Sequence, residues 1–247
     1  MLPAAAGYDR ATTMFSPDGR LYQVEYAIET VRRGTLAVGI KGKNGVVLAV
    51  EEKARKLQSA ALTQKIFQID DHIGVAAAGY IPDARIQVDH ARFAAQSNRL
   101  IYDEAIDVEG IAKGLADLAQ QFTQYAGVRP FGVALIIAGV DKNGSNVYFT
   151  DPSGTYIGFD AVAIGGGHDQ VTEFLERNYT KDISMDDACV LAAQSIYLVS
   201  EDKVGTKHIK ISVIDGKEKR MRRVEDNEIE KYAAKARETK SQPGSKE

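Results

Sequence analysis

The chain has 247 residues, of which 44% are hydrophobic and 26% charged, with a formal net charge of −3. That balance fits one large soluble globular domain and gives no global attraction to nucleic acid or to a membrane surface. The single cysteine, Cys189, can close no internal disulfide, which suits a reducing compartment. It sits in the apolar run Ala188–Ala192, so a buried, inert thiol is expected. No apolar stretch reaches the roughly 20 residues that span a bilayer. Met1–Arg10 has no signal-peptide core. A soluble, cytoplasmic protein is expected.

Ser16-Pro17-Asp18-Gly19 is a turn signal. A helix follows over about residues 20–33, with Leu21, Val24, Ile28 and Val31 on one face. Gly34 ends it, and Arg32 and Arg33 suit its negative end. Thr35–Ile40 and Val46–Val50 flank Asn44-Gly45 as a hairpin. Ile66–Ile69 and Ile73–Ala78 form a second pair around Asp70-Asp71. Two helices come next: about Asp83–Leu100, with Ile86, Phe93 and Leu100 in register, and about Val108–Tyr125, striped by Ile111, Leu115, Leu118 and Phe122.

Gly132–Val140 is almost wholly apolar, as in a strand covered on both faces. Asn146–Thr150 returns beside it, and short strands run on to Ile164. A second helix pair spans about Gln170–Tyr179 and Met185–Val199. Ser184 and Asp187 have capping-box spacing there, although Asp fits less well than Glu. His208–Ile214 and Lys219–Val224 read as a last hairpin, and a polar helix covers about Asp226–Glu238. The tail at 241–247 has a disordered composition. Blocks of antiparallel strands alternating with helix pairs predict two stacked sheets with helices outside, an α+β sandwich.

Four blocks carry a resemblance. Tyr8-Asp9-Arg10-Ala11 with the run Phe15–Ala27 (FSPDGRLYQVEYA) is similar to the N-terminal signature of proteasome α-subunits. The run Gln121–Gly132 (QFTQYAGVRPFG), with Thr150–Gly154 and Ala163–Gly167, agrees with it. The resemblance covers about residues 7–225. It implies a four-layer αββα sandwich of the N-terminal nucleophile hydrolase type with an added N-terminal helix. The division it implies is a gate segment at 1–18, one domain over 19–240 and the tail. It further implies a non-catalytic subunit of a seven-membered α-ring. Such a ring stacks on β-subunits, admits unfolded polypeptides for ATP-dependent degradation and docks an AAA+ ATPase through C-terminal tails.

Carried onto this sequence, the resemblance puts Tyr8, Asp9, Pro17 and Tyr26 in the gate cluster. Two phenols and a carboxylate can hydrogen-bond across a subunit boundary, and proline fixes a reverse turn. Lys65 is implied as the acceptor of an activator's terminal carboxylate, beside Gly79 and Tyr80. Tyr80 is bulkier than the aliphatic residue expected in relatives, and Ile28 stands where a basic residue is expected. Tyr125, Ala126, Gly127 and Val128 are implied to line the entrance annulus.

The rival reading is a peptidase of the same fold, released by cleavage between Gly34 and Thr35, with Glu51, Lys65 and Asp202 near supporting positions. Against it, Thr35 is internal, so its nitrogen is an amide and not a base. The resemblance also implies that Gly166 and Gly205 stand where the catalytic β-subunits of the family carry supporting serines. The glycine run Gly165–Gly167 reads as a tight strand–helix turn more than a phosphate cradle, since no Lys-Ser or Lys-Thr follows. Arg129-Pro130-Phe131-Gly132 reads as structural, fixing the start of the buried strand. The four histidines have no ligand spacing, and the basic run from Lys217 to Arg223 reads as a solvated hairpin. No metal, cofactor or nucleic acid is expected.

Overall fold

The computed structural model describes residues 10, 13–53, 57, 65–202 and 205–240. Tyr8 and Asp9, most of the predicted gate segment and the tail at 241–247 lie outside the described residues. Ten strands and six helices are present among the described residues, and the strands form two wholly antiparallel five-stranded sheets.

One sheet has the order β10-β9-β2-β1-β8: β1 (Ala37–Gly42), β2 (Gly45–Glu51), β8 (Ala161–Ile164), β9 (Ile209–Asp215) and β10 (Arg220–Arg223). The other has the order β3-β4-β5-β6-β7: β3 (Ile66–Asp70), β4 (Ile73–Gly79), β5 (Val133–Asp141), β6 (Gly144–Thr150) and β7 (Tyr156–Phe159). The chain changes sheet at Asp160, so β7 and β8 are edge strands of different sheets joined by one residue.

Alternation along each strand builds three apolar layers. On β2, Val46, Leu48 and Val50 point between the sheets, while Val47 and Ala49 point to the helices outside. On β5, Ala134, Ile136 and Ala138 face inward and Val133, Leu135 and Ile137 outward. All nine residues of β5 are buried, as a strand covered on both faces requires. Helices α4 (His168–Asn178), α5 (Met185–Val199) and α6 (Asp226–Lys240) pack on the first sheet. Helices α2 (Ile81–Tyr102) and α3 (Val108–Gln121) pack on the second. The order of layers is therefore αββα, the sandwich expected.

Local chemistry places the ends of these elements. Ser184 caps α5: its hydroxyl accepts from the Asp187 backbone N–H at 3.1 Å and donates to the Asp187 carboxylate at 2.6 Å. The aspartate answers the hydroxyl instead of a backbone N–H, so the box is half made. Helix α6 is polar on its outer side but buries Ile229, Ala233 and Ala236.

One expectation about helix faces is corrected. Ile86, Phe93 and Leu100 do lie in register on α2, but they point to solvent, and Phe93 and Leu100 are 73% and 88% exposed. The face against the sheet is made of Ala84, Val88, Ala91 and Ala95 with Gln87. Small side chains let the helix lie close to β3, β4 and β5, and that distance leaves no room for phenyl or leucyl groups.

Candidate functional site

The N-terminal helix α1 (Tyr22–Arg32) crosses one end of the sandwich. Tyr22, Val24, Ala27 and Val31 are its buried side, and Val31 joins the layer between the two sheets. A tight turn precedes it. The Gly19 N–H donates to the Ser16 carbonyl at 2.8 Å, and the Arg20 N–H donates to the Ser16 hydroxyl at 3.1 Å. Arg20 also pairs with Glu25 through two guanidinium nitrogens, Nε and Nη2. Pro17 is exposed in that turn, and Tyr26 is 41% exposed on the outer side of the helix.

Beyond α1 the backbone enters a crowded junction. Gly79 has φ +113°, and a side chain there would meet the Gly132 carbonyl at 2.4 Å and the Val31 backbone at 3.2 Å. A side chain on Gly34 would meet the Gly79 nitrogen at 2.4 Å. Only glycine satisfies both the left-handed backbone and the approach of two chains. A side chain at Gly79 would collide with this chain's own backbone.

Thr35 stands at the floor of this junction, just before β1. Its hydroxyl donates to the Glu51 carbonyl at 2.7 Å. Lys65 is only 5% exposed. Its Nζ lies 2.8 Å from both the Thr35 carbonyl and the Thr35 hydroxyl, 3.0 Å from the Leu36 carbonyl and 3.1 Å from the Glu51 carbonyl. Four acceptors thus surround an ammonium that has three protons. Burial pulls the Lys65 pKa down to about 7, against the Glu51 and Glu52 carboxylates, which pull it up.

The Glu51 carboxylate turns to Ser200, whose hydroxyl donates to it at 2.8 Å. Asp202 accepts from the Gly205 N–H at 2.7 Å and faces His208 at 3.6 Å. His208 is buried, its Nε2 has no hydrogen-bond partner, and burial lowers its pKa despite Asp202. Thr35 and Lys65 are therefore brought together, while Glu51 and Asp202 direct their carboxylates to other partners. The Gly34 carbonyl accepts from the Gly166 N–H at 2.7 Å.

A second cluster borders the junction. Tyr80 precedes α2, is half-exposed and has its ring 5.6 Å from the Arg129 guanidinium carbon. Arg129 binds Asp83 through two nitrogens, at 2.6 and 2.9 Å, and Asp83 also accepts from the Gly132 N–H at 2.9 Å. Phe131 stacks on Phe122 with ring centroids 4.3 Å apart. These contacts fix the entry into β5, the structural role expected of Arg129–Gly132. The Asp83 partnership escaped sequence reading, because 46 residues separate it from Arg129 and no local pattern links them. The same holds for Ser200 and Glu51.

The loop after α3 projects outward. Tyr125, Ala126 and Gly127 are exposed, and Gly127 takes φ +85° with open space around it. The glycine run before α4 is a close turn, since a side chain on Gly165 would meet the Thr35 carbonyl at 2.6 Å. The Gly166 N–H is spent on Gly34, which removes it as a phosphate donor. Among the described residues no group of three or more His, Cys, Asp or Glu is placed to hold a metal ion. No described helix is long and apolar enough to cross a membrane. Cys189 is buried, and that burial pushes its thiol up to about 12.

Comparison with known proteins gives a consistent result. The family model for proteasome subunits matches residues 31–214, and that for the N-terminal signature of proteasome A subunits matches residues 8–29. A proteasome subunit alpha of Methanosarcina barkeri is 47% identical over 242 residues, covering 98% of this chain and 97% of that protein. One from Methanosarcina acetivorans is 49% identical over 227 residues, 92% of each chain. One from Saccharolobus islandicus is 51% identical over 195 residues, 78% of this chain and 81% of its own length.

Proposed function

The chain belongs to the proteasome subunit family, on its α branch, and from that premise we propose that it is a structural and gating subunit of the core particle. In this reading it forms a heptameric α-ring on a ring of β-subunits in the cytoplasm. The ring controls the passage of unfolded polypeptides and docks an activating AAA+ ATPase.

The observation that carries the reading is the integration of α1. A helix whose Val31 is part of the inter-sheet layer, and whose end is locked by Gly34 against Gly79, is not a disposable propeptide. While it stays, the Thr35 nitrogen is an amide and the hydroxyl has no adjacent free amine to take its proton.

Tyr8, Asp9, Pro17 and Tyr26 are the proposed gate residues; Pro17 sits exposed in the turn before α1 and Tyr26 exposed on its outer side, where a neighbouring subunit can reach them. Tyr125–Val128 is the proposed lining of the entrance annulus, in keeping with an outward loop of mostly small residues. Lys65, Gly79 and Tyr80 are the proposed tail pocket. For Lys65 to receive a carboxylate, its ammonium must trade at least one internal carbonyl for the incoming oxygen. The exposed stripe on α2 is a proposed assembly surface, since a run of large apolar groups of this length is unusual on a free helix.

A peptidase reading has one specific observation in its favour, the 2.8 Å approach of Lys65 Nζ to the Thr35 hydroxyl. Native mass spectrometry with a peptidase assay on the same fractions separates the two. Multimers of intact chains of 26.9 kDa without activity are expected. Activity that travels with a chain beginning at Thr35 overturns the proposal. For the tail pocket, Lys65→Ala is expected to weaken binding of an activator tail peptide by about 1–3 kcal/mol; unchanged binding removes Lys65 from that role.

A further inference from the structure

An apolar cleft of about 270 Å³ opens between α1 and β8. Its walls are Ile28 and Val31 from α1, Phe149 from β6, and Phe159, Val162 and Ile164 at the crossing from β7 to β8. It borders the Thr35 junction, with which it shares Val31 and Gly165. At the other end of α1, Phe15 is 64% exposed. It is held out by the next residue, Ser16, which is buried and whose N–H donates to the Arg20 carbonyl at 2.9 Å. An aromatic ring on a pinned backbone loses little freedom on docking.

We infer that the cleft between α1 and β8 is the socket for Phe15 of a neighbouring copy of this chain, so that copies pack head to tail along α1. The inference rests on the proposed ring and deepens it by naming one of its contacts. Knob and socket lie at opposite ends of an eleven-residue helix, about 16 Å long at 1.5 Å per residue. They are therefore different faces of one chain, which is what a heterologous, repeating interface needs and a two-fold dimer does not. The volume suits a single aromatic side chain. The lining is mostly aliphatic and aromatic, with Arg32, Asp151 and His168 at it as well, so the main gain comes from apolar area removed from water. Ile28 adds apolar area beside Arg32, the one Arg or Lys side chain of the lining.

The test is a disulfide trap in the assembled full-length chain, pairing Phe15→Cys with Thr172→Cys, an exposed residue at the socket's edge. Cys189 stays silent because its thiol is buried and pushed up to about 12. Mild oxidation is expected to give a ladder of covalent dimers and larger species on a non-reducing gel, with each single-cysteine variant running as one chain. Full-sized particles that yield no ladder, or only a bond within one chain, overturn this contact and leave the ring proposal standing. A chain that never assembles overturns both. As a second measurement, Phe15→Ser is expected to raise the concentration for half-assembly about tenfold or more, with Phe15→Leu within about threefold of the parent. Equal assembly of Phe15→Ser and the parent also overturns the contact.

Discussion

Helices α2 and α3 lie side by side on the same sheet and treat their apolar residues in opposite ways. On α3, Ile111 and Leu115 are buried, and Leu118 packs beside them. On α2, alanines and Val88 face the sheet, while Ile86, Phe93, Leu100, Ile101 and Tyr102 face water. Both helices show helical periodicity, so periodicity alone does not say which side is the inside. Residue size against the helix–sheet spacing decides it. The large apolar groups left outside on α2 are the proposed assembly surface.

The contrast is broken most strongly from α3. Leu115→Ala is expected to cost about 2–5 kcal/mol of folding stability, because it leaves a cavity against the sheet. A denaturant midpoint shifted by less than about 1 kcal/mol equivalent would mean that Leu115 does not fill the core as described.

Charge extends the same comparison, since Lys65 is a buried cation where Arg99 is a half-exposed one paired with Asp70. The folded-state pKa of Lys65, about 7, lies below its ordinary 10.5. Below pH 7 both states hold the proton. Above it the unfolded chain binds more protons than the folded one, so stability rises with pH. The rise is expected between about pH 7 and pH 9. Above pH 9 the Cys189 thiol, held protonated in the fold, pulls the other way. Taking the difference between the parent and Lys65→Met cancels that shared term. Parallel stability curves for the two proteins over pH 7–9 would rule out a depressed Lys65.

The smallest effect on folding is expected on α2. Phe93→Ser should change stability by no more than about 0.5 kcal/mol, yet lower assembly with partner subunits. Loss of folding stability comparable to Leu115→Ala would place Phe93 in the core after all.

The amino-acid sequence by itself determined much of this protein. Strand and helix order and the layering follow from short-range periodicity, the all-buried β5 from an unbroken apolar run, and the tight Gly165–Gly167 turn was legible from glycine. The Ser184 cap was visible in a three-residue spacing. These are local properties, fixed by periods of two or 3.6 residues and by backbone sterics. The family was legible too, because long runs such as Phe15–Ala27 match residue by residue.

Only the tertiary structure decided the rest. It turned the large residues of α2 outward, gave Asp83 to Arg129 and Ser200 to Glu51, and enclosed Lys65 in carbonyl oxygens. Each of these depends on groups 14 to 149 residues apart in the chain. No local period encodes such a meeting. Close packing of two sheets and a crossing helix fixes which side chains find each other and which are left for a partner.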